Sequence, residues 1–125
     1  LENITFDPSS QIMMSLDVES LFTNIPQEDS LRVLEEILFR ETWAYRTPRH
    51  FILECAHLAL TENYFEYEGV LYLQIHGMSM GSAFAPILAG VYVSDSEDRF
   101  ILNVTNPYQD RVTKWKRYIE DILVI

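Results

Sequence analysis

Three carboxylates stand at the ends of apolar segments, where a folded chain presents side chains at the edge of a sheet. Asp17 ends the run "QIMMSLD", and Glu120 and Asp121 lie in "RYIEDILVI" between two strand-like pieces. Carboxylates flanked by core residues lose hydration and repel each other, so a divalent cation is the natural compensation. Oxygen ligands without histidine or cysteine favour magnesium or manganese over zinc. For each carboxylate taken alone, a solvated turn residue is the alternative.

The chemistry that such a site would perform is phosphoryl transfer. Two ions about 3.5–4 Å apart clamp the attacking and the leaving oxygens of that reaction. One ion lowers the pKa of an attacking hydroxyl, and the other neutralises the leaving pyrophosphate. The sequence therefore predicts a two-metal site, on the condition that position 17 and positions 120–121 face one shared pocket.

A different chemistry is suggested by "GMSMG" (77–81), which matches G-x-S-x-G between a strand-like and a helix-like run. This is the strand–turn–helix setting of a serine-hydrolase nucleophile, which would be Ser79. Such a serine needs a histidine base, and on that fold the histidine follows the nucleophile in the chain. All three histidines precede Ser79, so hydrolysis is a remote alternative: His50, His57 and His76.

Basic residues cluster around Trp115 in "RVTKWKR", where Lys114, Lys116 and Arg117 are candidates for contact with a nucleic-acid strand. A solvated strand face explains the same residues equally well. The whole chain carries nine basic and nineteen acidic residues, a formal net charge of −10. Phosphate binding needs a basic face, so nucleic-acid binding would require basic surface from outside these 125 residues.

The sequence predicts a single domain of the α+β class, whose strands and helices must position these residues. We predict a strand at 11–17, a turn at "FTNIP", helices at 26–42 and 48–62, a hairpin at 64–75, a helix at 82–101 and two strands within 111–125. Strands and helices in such blocks favour α+β layers over a regular βαβ sheet. No apolar run reaches the roughly 18 residues that a membrane span needs.

The second predicted helix has enough apolar residues to define an inward face. The residues expected to point into the core are Phe51, Ile52, Cys55, Leu58 and Ala59. A single cysteine cannot form an internal disulfide, so Cys55 is predicted to be a core thiol.

Three segments resemble the reverse transcriptases of Penelope-like retroelements. They are "SLDVESLFTNIP" (15–26), "YFEYEGVLYLQIHGMSMGSAFAPILAG" (64–90) and "WKRYIEDILVI" (115–125), which look like motifs A, B and C of that family in the right order. The resemblance covers nearly the whole chain. It implies a partial reverse transcriptase domain over 1–125: the palm-type sheet of a right-hand polymerase packed on helices, with remnants of the fingers, incomplete at both ends.

The resemblance also implies roles for particular residues. Asp17, Glu120 and Asp121 would be the catalytic metal ligands, and Val18 would add its backbone carbonyl. Phe22 would be the gate that rejects a ribose 2′-hydroxyl, with packing in the core as its alternative role. The turn of Met80, Gly81 and Ser82 would lie against the incoming nucleotide, where glycine lets the backbone approach closely.

The cofactors and partners implied by the resemblance are two magnesium ions, or manganese, with deoxynucleotides, an RNA template and a DNA primer. The enzyme would act inside the cell, in nucleus or cytoplasm. Three departures from the family pattern suggest a decayed or repurposed copy: Glu120 in place of the first aspartate of the motif C box, Ala83 in place of proline, and Gly90 in place of asparagine. Without most of the fingers and the thumb, these residues alone are expected to be inactive. A non-catalytic binding or scaffold module is the second hypothesis.

Overall fold

The computed structural model describes residues 5–40, 42 and 46–125. The strands are β1 (Met14–Asp17), β2 (Tyr64–Tyr67), β3 (Val70–Leu73), β4 (Trp115–Tyr118) and β5 (Asp121–Val124). The α-helices are α1 (Leu21–Asn24), α2 (Gln27–Arg40), α3 (Arg49–Thr61) and α4 (Ala85–Ser96), and a π-helix (Glu97–Ile101) and a 3₁₀ helix (Gln109–Arg111) follow α4. The predicted order of strands and helices is confirmed, except that "FTNIP" contributes to the short helix α1 and not only to a turn. Residue 41 of the predicted helix 26–42 lies outside the described residues.

Within the described residues, the strands form two separate antiparallel sheets. One has the order β1-β5-β4, and the other is the β2–β3 hairpin. Four α-helices accompany them in the described part of the chain. The fold is therefore a small α+β domain, as predicted. In the first sheet, the central strand β5 pairs on both sides, so residues from the two ends of the chain meet there.

Local sequence explains the helix positions. Acidic residues Glu28 and Asp29 occupy the first turn of α2 and Arg40 its last turn, which suits the helix dipole. Pro86 lies in the first turn of α4, where its missing N–H removes no helical hydrogen bond. Helices α2 and α4 therefore carry ordinary boundary signals. No helix in the described ranges is long and apolar enough to cross a membrane.

The main core lies where α1, α3 and α4 meet the segment after β3. Its buried members are Leu21, Ile25, Leu60, Met78, Ala85, Leu88 and Ala89. Val18 and Phe22 pack against this cluster while remaining partly exposed. Packing against the core therefore holds the residues that follow β1 in position, and with them the end of that strand.

The predicted inward face of α3 is wrong for three residues. Phe51 and Leu58 are 60% and 62% exposed, and Cys55 is exposed too. The helix instead buries Ala56 and Leu60. Apolar residues surround much of this helix, so the sequence pattern does not select one face, and packing against the other helices turns the Ala56–Leu60 stripe inward.

Candidate functional site

Asp17 and Asp121 lie directly opposite each other across β1 and β5. The antiparallel register pairs Asp17 with Asp121 and Leu16 with Ile122. Residues directly opposite in such a pair project from the same face, with Cβ atoms about 4.5–5.5 Å apart. Both aspartates are exposed. The structure thus brings together two of the three predicted carboxylates, although they come from opposite ends of the sequence.

Glu120 sits in the two-residue turn that joins β4 to β5. Tyr118 pairs with Asp121, which leaves Ile119 and Glu120 as the turn. The Glu120 carbonyl accepts a hydrogen bond of 3.1 Å from the backbone N–H of Val18. The turn is therefore tied to the residue that follows Asp17, and the Glu120 residue is half-buried while its two acidic neighbours are exposed.

Ile119 has a backbone conformation that its residue type disfavours. Its φ is +57°, and a β-branched residue at positive φ is rare because its side chain crowds the backbone. The carbonyl of Ile119 accepts a 3.1 Å hydrogen bond from Arg117 Nη1. Strained backbone of this kind is held by surrounding structure and is concentrated at functional sites.

The acidic pair belongs to the open face of the three-stranded sheet. The register puts Tyr118, Asp121 and Asp17 in one row across the strands, and Lys116, Leu123 and Ser15 in the next row. A shallow groove of about 260 Å³ is lined by residues of both rows. The opposite face carries Ile122 and Val124, which are buried. One face of the sheet is therefore core, and the other offers two carboxylates beside a lysine and a tyrosine.

The donor set at this face suits a divalent cation held by two carboxylates. Like charges directly opposite each other destabilise a strand pair. Across residues 5–40, 42 and 46–125, neither Asp17 nor Asp121 has a side-chain hydrogen bond or an ion pair. Magnesium is commonly bound by one or two carboxylates, with waters and substrate phosphates completing its octahedron. The described residues contain no group of three or more histidine, cysteine, aspartate or glutamate side chains placed to hold a metal ion.

The segment after β3 is packed tightly on the segment after β1. The Met78 N–H donates a 2.6 Å hydrogen bond to the Phe22 carbonyl, and Gln27 Nε2 donates a 2.8 Å bond to the Gly77 carbonyl. Gly77 has a φ of +69°, and a Cβ on it would lie 2.6 Å from the Thr23 carbonyl oxygen. Glycine is required at 77 because two backbone segments meet there.

The turn predicted to contact a nucleotide faces solvent. Met80 is 74% exposed, and a Cβ on Gly81 would meet only the Ser79 hydroxyl at 3.9 Å. Ser82 Oγ accepts a 3.2 Å hydrogen bond from the Phe84 N–H and so shapes the start of α4. Close approach of two backbone segments takes place at Gly77, inside the protein, while the approach of Gly81 to a nucleotide stays a prediction.

The three predicted nucleic-acid contacts separate into two groups. Lys114 and Lys116 are exposed. The Arg117 side chain is only 14% exposed, and its Nε donates a 2.8 Å bond to Glu97. Arg117 thus has an internal ion pair, and among the three residues only Lys114 and Lys116 are exposed.

Ser79 lacks the base that a hydrolase would need. Within the described part of the chain, no histidine is hydrogen-bonded to its hydroxyl. His57 lies beside Thr61 on α3, and the His50 ring packs against Phe39 at 5.2 Å. The segment between β3 and α4 is also too long for a sharp strand-to-helix turn at Ser79.

Two features of the structure have no counterpart among the predicted sites: Glu97 and a groove between α2 and α3. Glu97 is buried and binds Trp115 and Arg117, a pairing between distant positions that no local pattern reveals. A groove of about 590 Å³ lies between α2 and α3 and contains none of the predicted site residues. Its lining is Glu28, Leu31, Arg32, Glu35, His50, Leu53, Glu54 and His57.

No protein-family model matches this chain, and no curated protein sequence matches it.

Proposed function

We propose that this chain is the palm-type part of an RNA-directed DNA polymerase similar to the reverse transcriptases of Penelope-like retroelements. The order of the three motif-like segments supports the proposal. The observation that carries it is the register that sets Asp17 opposite Asp121 on the open face of the sheet. A nucleotidyl transfer site requires carboxylates from separate segments to converge, and these two do.

In the proposed reaction, the 3′-hydroxyl oxygen of a primer forms a bond to the α-phosphorus of a deoxynucleotide. The bond from that phosphorus to the pyrophosphate oxygen breaks, and the hydroxyl proton is lost to solvent. Bound magnesium or manganese supplies charge neutralisation and a lowered pKa of the attacking hydroxyl. Asp17 and Asp121 would hold the metal, and the Val18 carbonyl and Glu120 would be the additional donors. A glutamate has one methylene more than an aspartate, so we propose that Glu120 weakens catalysis through misplaced geometry.

Phe22 and the turn after β3 are the proposed nucleotide contacts. Phe22 is partly exposed beside the core, and its backbone is held by Met78. Its ring would exclude a ribose 2′-hydroxyl, which favours deoxynucleotides. The turn of Met80, Gly81 and Ser82, whose first two residues are exposed, would face the nucleotide base, where a glycine allows close approach.

We propose that this chain by itself binds nucleic acid weakly. Lys114 and Lys116 are the exposed cations of β4 and the segment before it, against a chain with a net charge of −10. Template and primer binding gains most of its affinity from neutralised phosphates. We therefore propose that RNA template and DNA primer are held mainly by basic surface that this chain does not supply, and that primer extension by this chain is at most a trace.

Metal binding by the 125-residue chain is the direct test. Manganese, which is paramagnetic, should broaden the backbone NMR signals of Asp17, Val18, Glu120 and Asp121 before any others. Asp17→Asn should abolish this selective broadening. Glu66→Gln, a matched loss of one charge on the other sheet, should leave it intact. Broadening spread evenly over the nineteen acidic residues would contradict the proposal.

A non-catalytic binding or scaffold module is the second candidate, favoured by the β2–β3 hairpin. All eight strand residues of that hairpin are exposed, and most are large and apolar. Glu120→Asp, made in a full-length polypeptide that includes the template- and primer-binding regions, separates the two candidates in a primer-extension assay on an RNA template supplemented with manganese. An increase in extension supports the polymerase, whereas absence of extension with intact metal binding supports the module.

A further inference from the structure

Glu97 is a buried carboxylate that the proposed reaction does not use. It is the first residue of the π-helix that continues α4 and is 9% exposed. Its Oε1 accepts two hydrogen bonds of 2.8 Å, one from Trp115 Nε1 and one from Arg117 Nε. π-Helical turns are rare and occur frequently at functional sites. Both donors belong to β4. This strand leads into the turn of Ile119 and Glu120, which we call the acidic turn.

Arg117 connects Glu97 to that turn. Its Nη1 donates a 3.1 Å bond to the Ile119 carbonyl, and its Nη2 donates a 3.3 Å bond to the Gly90 carbonyl of α4. The guanidinium is planar, so fixing its Nε on Glu97 also fixes the direction of the other two nitrogens. The carboxylate of Glu97 thereby orients the donor that reaches Ile119.

The acidic turn is held by its two carbonyls. Arg117 binds the Ile119 carbonyl from one side, and the Val18 N–H binds the Glu120 carbonyl from the other. Ile119 has positive φ and needs such support. Asp121 directly follows this turn and is paired with Asp17. If the turn changes conformation, Asp121 therefore moves relative to Asp17.

We propose that Glu97 is a positioning residue for the acidic turn, acting through Arg117 on the Ile119 carbonyl. The catalytic significance of this role rests on the proposed function, but the mechanical role does not. Removing Glu97 frees the guanidinium, the Ile119–Glu120 turn becomes mobile, and the two aspartates lose their fixed separation. A displacement of about 1 Å at such a site reduces rates by about a hundredfold.

Amide hydrogen exchange of the full chain tests the mechanical role without metal. Glu97→Ala and Arg117→Lys should each speed exchange of the Val18 N–H by about tenfold or more, because each variant removes a charge-assisted hydrogen bond that supports the turn. Glu97→Gln keeps an acceptor oxygen and should restore most of the protection. The Gln74 N–H, bonded to the Asn63 carbonyl beside the other sheet, serves as the internal reference and should not change.

Glu36→Gln is the matched control, because Glu36 binds Arg99 of the same π-helix at an exposed site. It should leave Val18 exchange unchanged. Equal acceleration at Val18 and Gln74 would mean a general loss of stability and would overturn the proposal, as would unchanged Val18 exchange in Arg117→Lys. If Glu97→Ala does not fold, Glu97→Gln and Arg117→Lys decide the matter.

Manganese titration of the same variants separates this inference from the proposed function. Weaker manganese binding in Arg117→Lys together with faster Val18 exchange supports both. Faster Val18 exchange in a chain whose parent form does not bind manganese at Asp17 supports the positioning role and contradicts the metal site.

Discussion

The β2–β3 and β4–β5 hairpins are built alike, with four-residue strands joined by two-residue turns, but they differ in what covers them. All residues of β2 and β3 are exposed. In β5, Ile122 and Val124 are buried, and on β4 Trp115 and Arg117 are bound to Glu97. The second hairpin is thus integrated into a sheet and a core, while the first is attached mainly through the segment that follows it.

The two turns differ in a way that matches this contrast. Glu68 and Gly69 both have positive φ, at +51° and +77°, which suits a two-residue hairpin turn ending in glycine. Ile119 has a φ of +57° without any glycine in its turn. A sequence that follows turn chemistry in one hairpin and departs from it in the other marks the second turn as a strained position, of the kind that proteins often keep at functional sites.

The largest expected effect is at Gly77, where the first hairpin is attached to α1. Gly77→Ala adds a Cβ only 2.6 Å from the Thr23 carbonyl at a φ of +69°, so both sterics and backbone oppose it. We expect a loss of about 3 kcal/mol in unfolding free energy, measured by urea denaturation. Gly90→Ala is the control, since a Cβ there meets nothing within 4 Å. It lies inside α4 and should gain about 0.5–1 kcal/mol. Equal responses would mean that the Gly77 contact is unimportant.

The order of strands and helices and the candidate carboxylates were predictable from the sequence. The contacts between distant segments were not. The strand that ends at Asp17 and the hairpin that presents Asp121 were predictable from alternating and apolar runs. Their register was not, because it depends on how β5 pairs with β1 after the helices have packed. The same limit hid Glu97, whose partners lie on a strand in another part of the sequence.

The face of α3 illustrates a second limit. Apolar residues such as Phe51, Leu58 and Leu60 lie on more than one side of this helix, so periodicity alone allows several orientations. Packing chose the side of Ala56 and Leu60. The requirement for glycine at 77 was not predictable for a related reason, because close approach of two backbone segments is a tertiary property.

The next largest effect compares side chains on the strands of the two hairpins. Ile122 is 8% exposed, so Ile122→Ala should reduce the unfolding free energy by about 2–3 kcal/mol. Leu71 on β3 is 70% exposed, and Leu71→Ala should change it by about 0.5 kcal/mol or less. Thermal unfolding measures both. A large loss for Leu71→Ala would show that the first hairpin is buried in solution and would remove the contrast between the hairpins.

A third prediction concerns Asp17 and Asp121, where one substitution should weaken manganese binding and also stabilise the metal-free fold. Asp121→Asn should weaken manganese binding about tenfold, or about 1.4 kcal/mol, because one of two facing carboxylates is lost. The same change removes a like-charge contact with Asp17 and should raise the metal-free unfolding free energy by a few tenths of a kcal/mol. Isothermal titration and urea denaturation measure the two effects. Glu68→Gln, in the turn of the first hairpin, should leave manganese binding unchanged, and weaker binding in that variant would argue against a local site.

The smallest effects concern the two turns and should have opposite signs. Gly69→Ala places a side chain at a φ of +77° in open space, so the cost is conformational only, about 1 kcal/mol. Ile119→Gly relieves a similar conformation in a residue that is 45% exposed, and should gain about 0.5 kcal/mol in unfolding free energy. The same variant should exchange its Val18 amide faster, because glycine no longer constrains the turn.

Urea denaturation together with hydrogen exchange therefore distinguishes strain that supports the acidic turn from strain that is only local. If Ile119→Gly loses stability and keeps the Val18 amide protected, the isoleucine is held by packing, and the contrast between the two turns has no functional meaning.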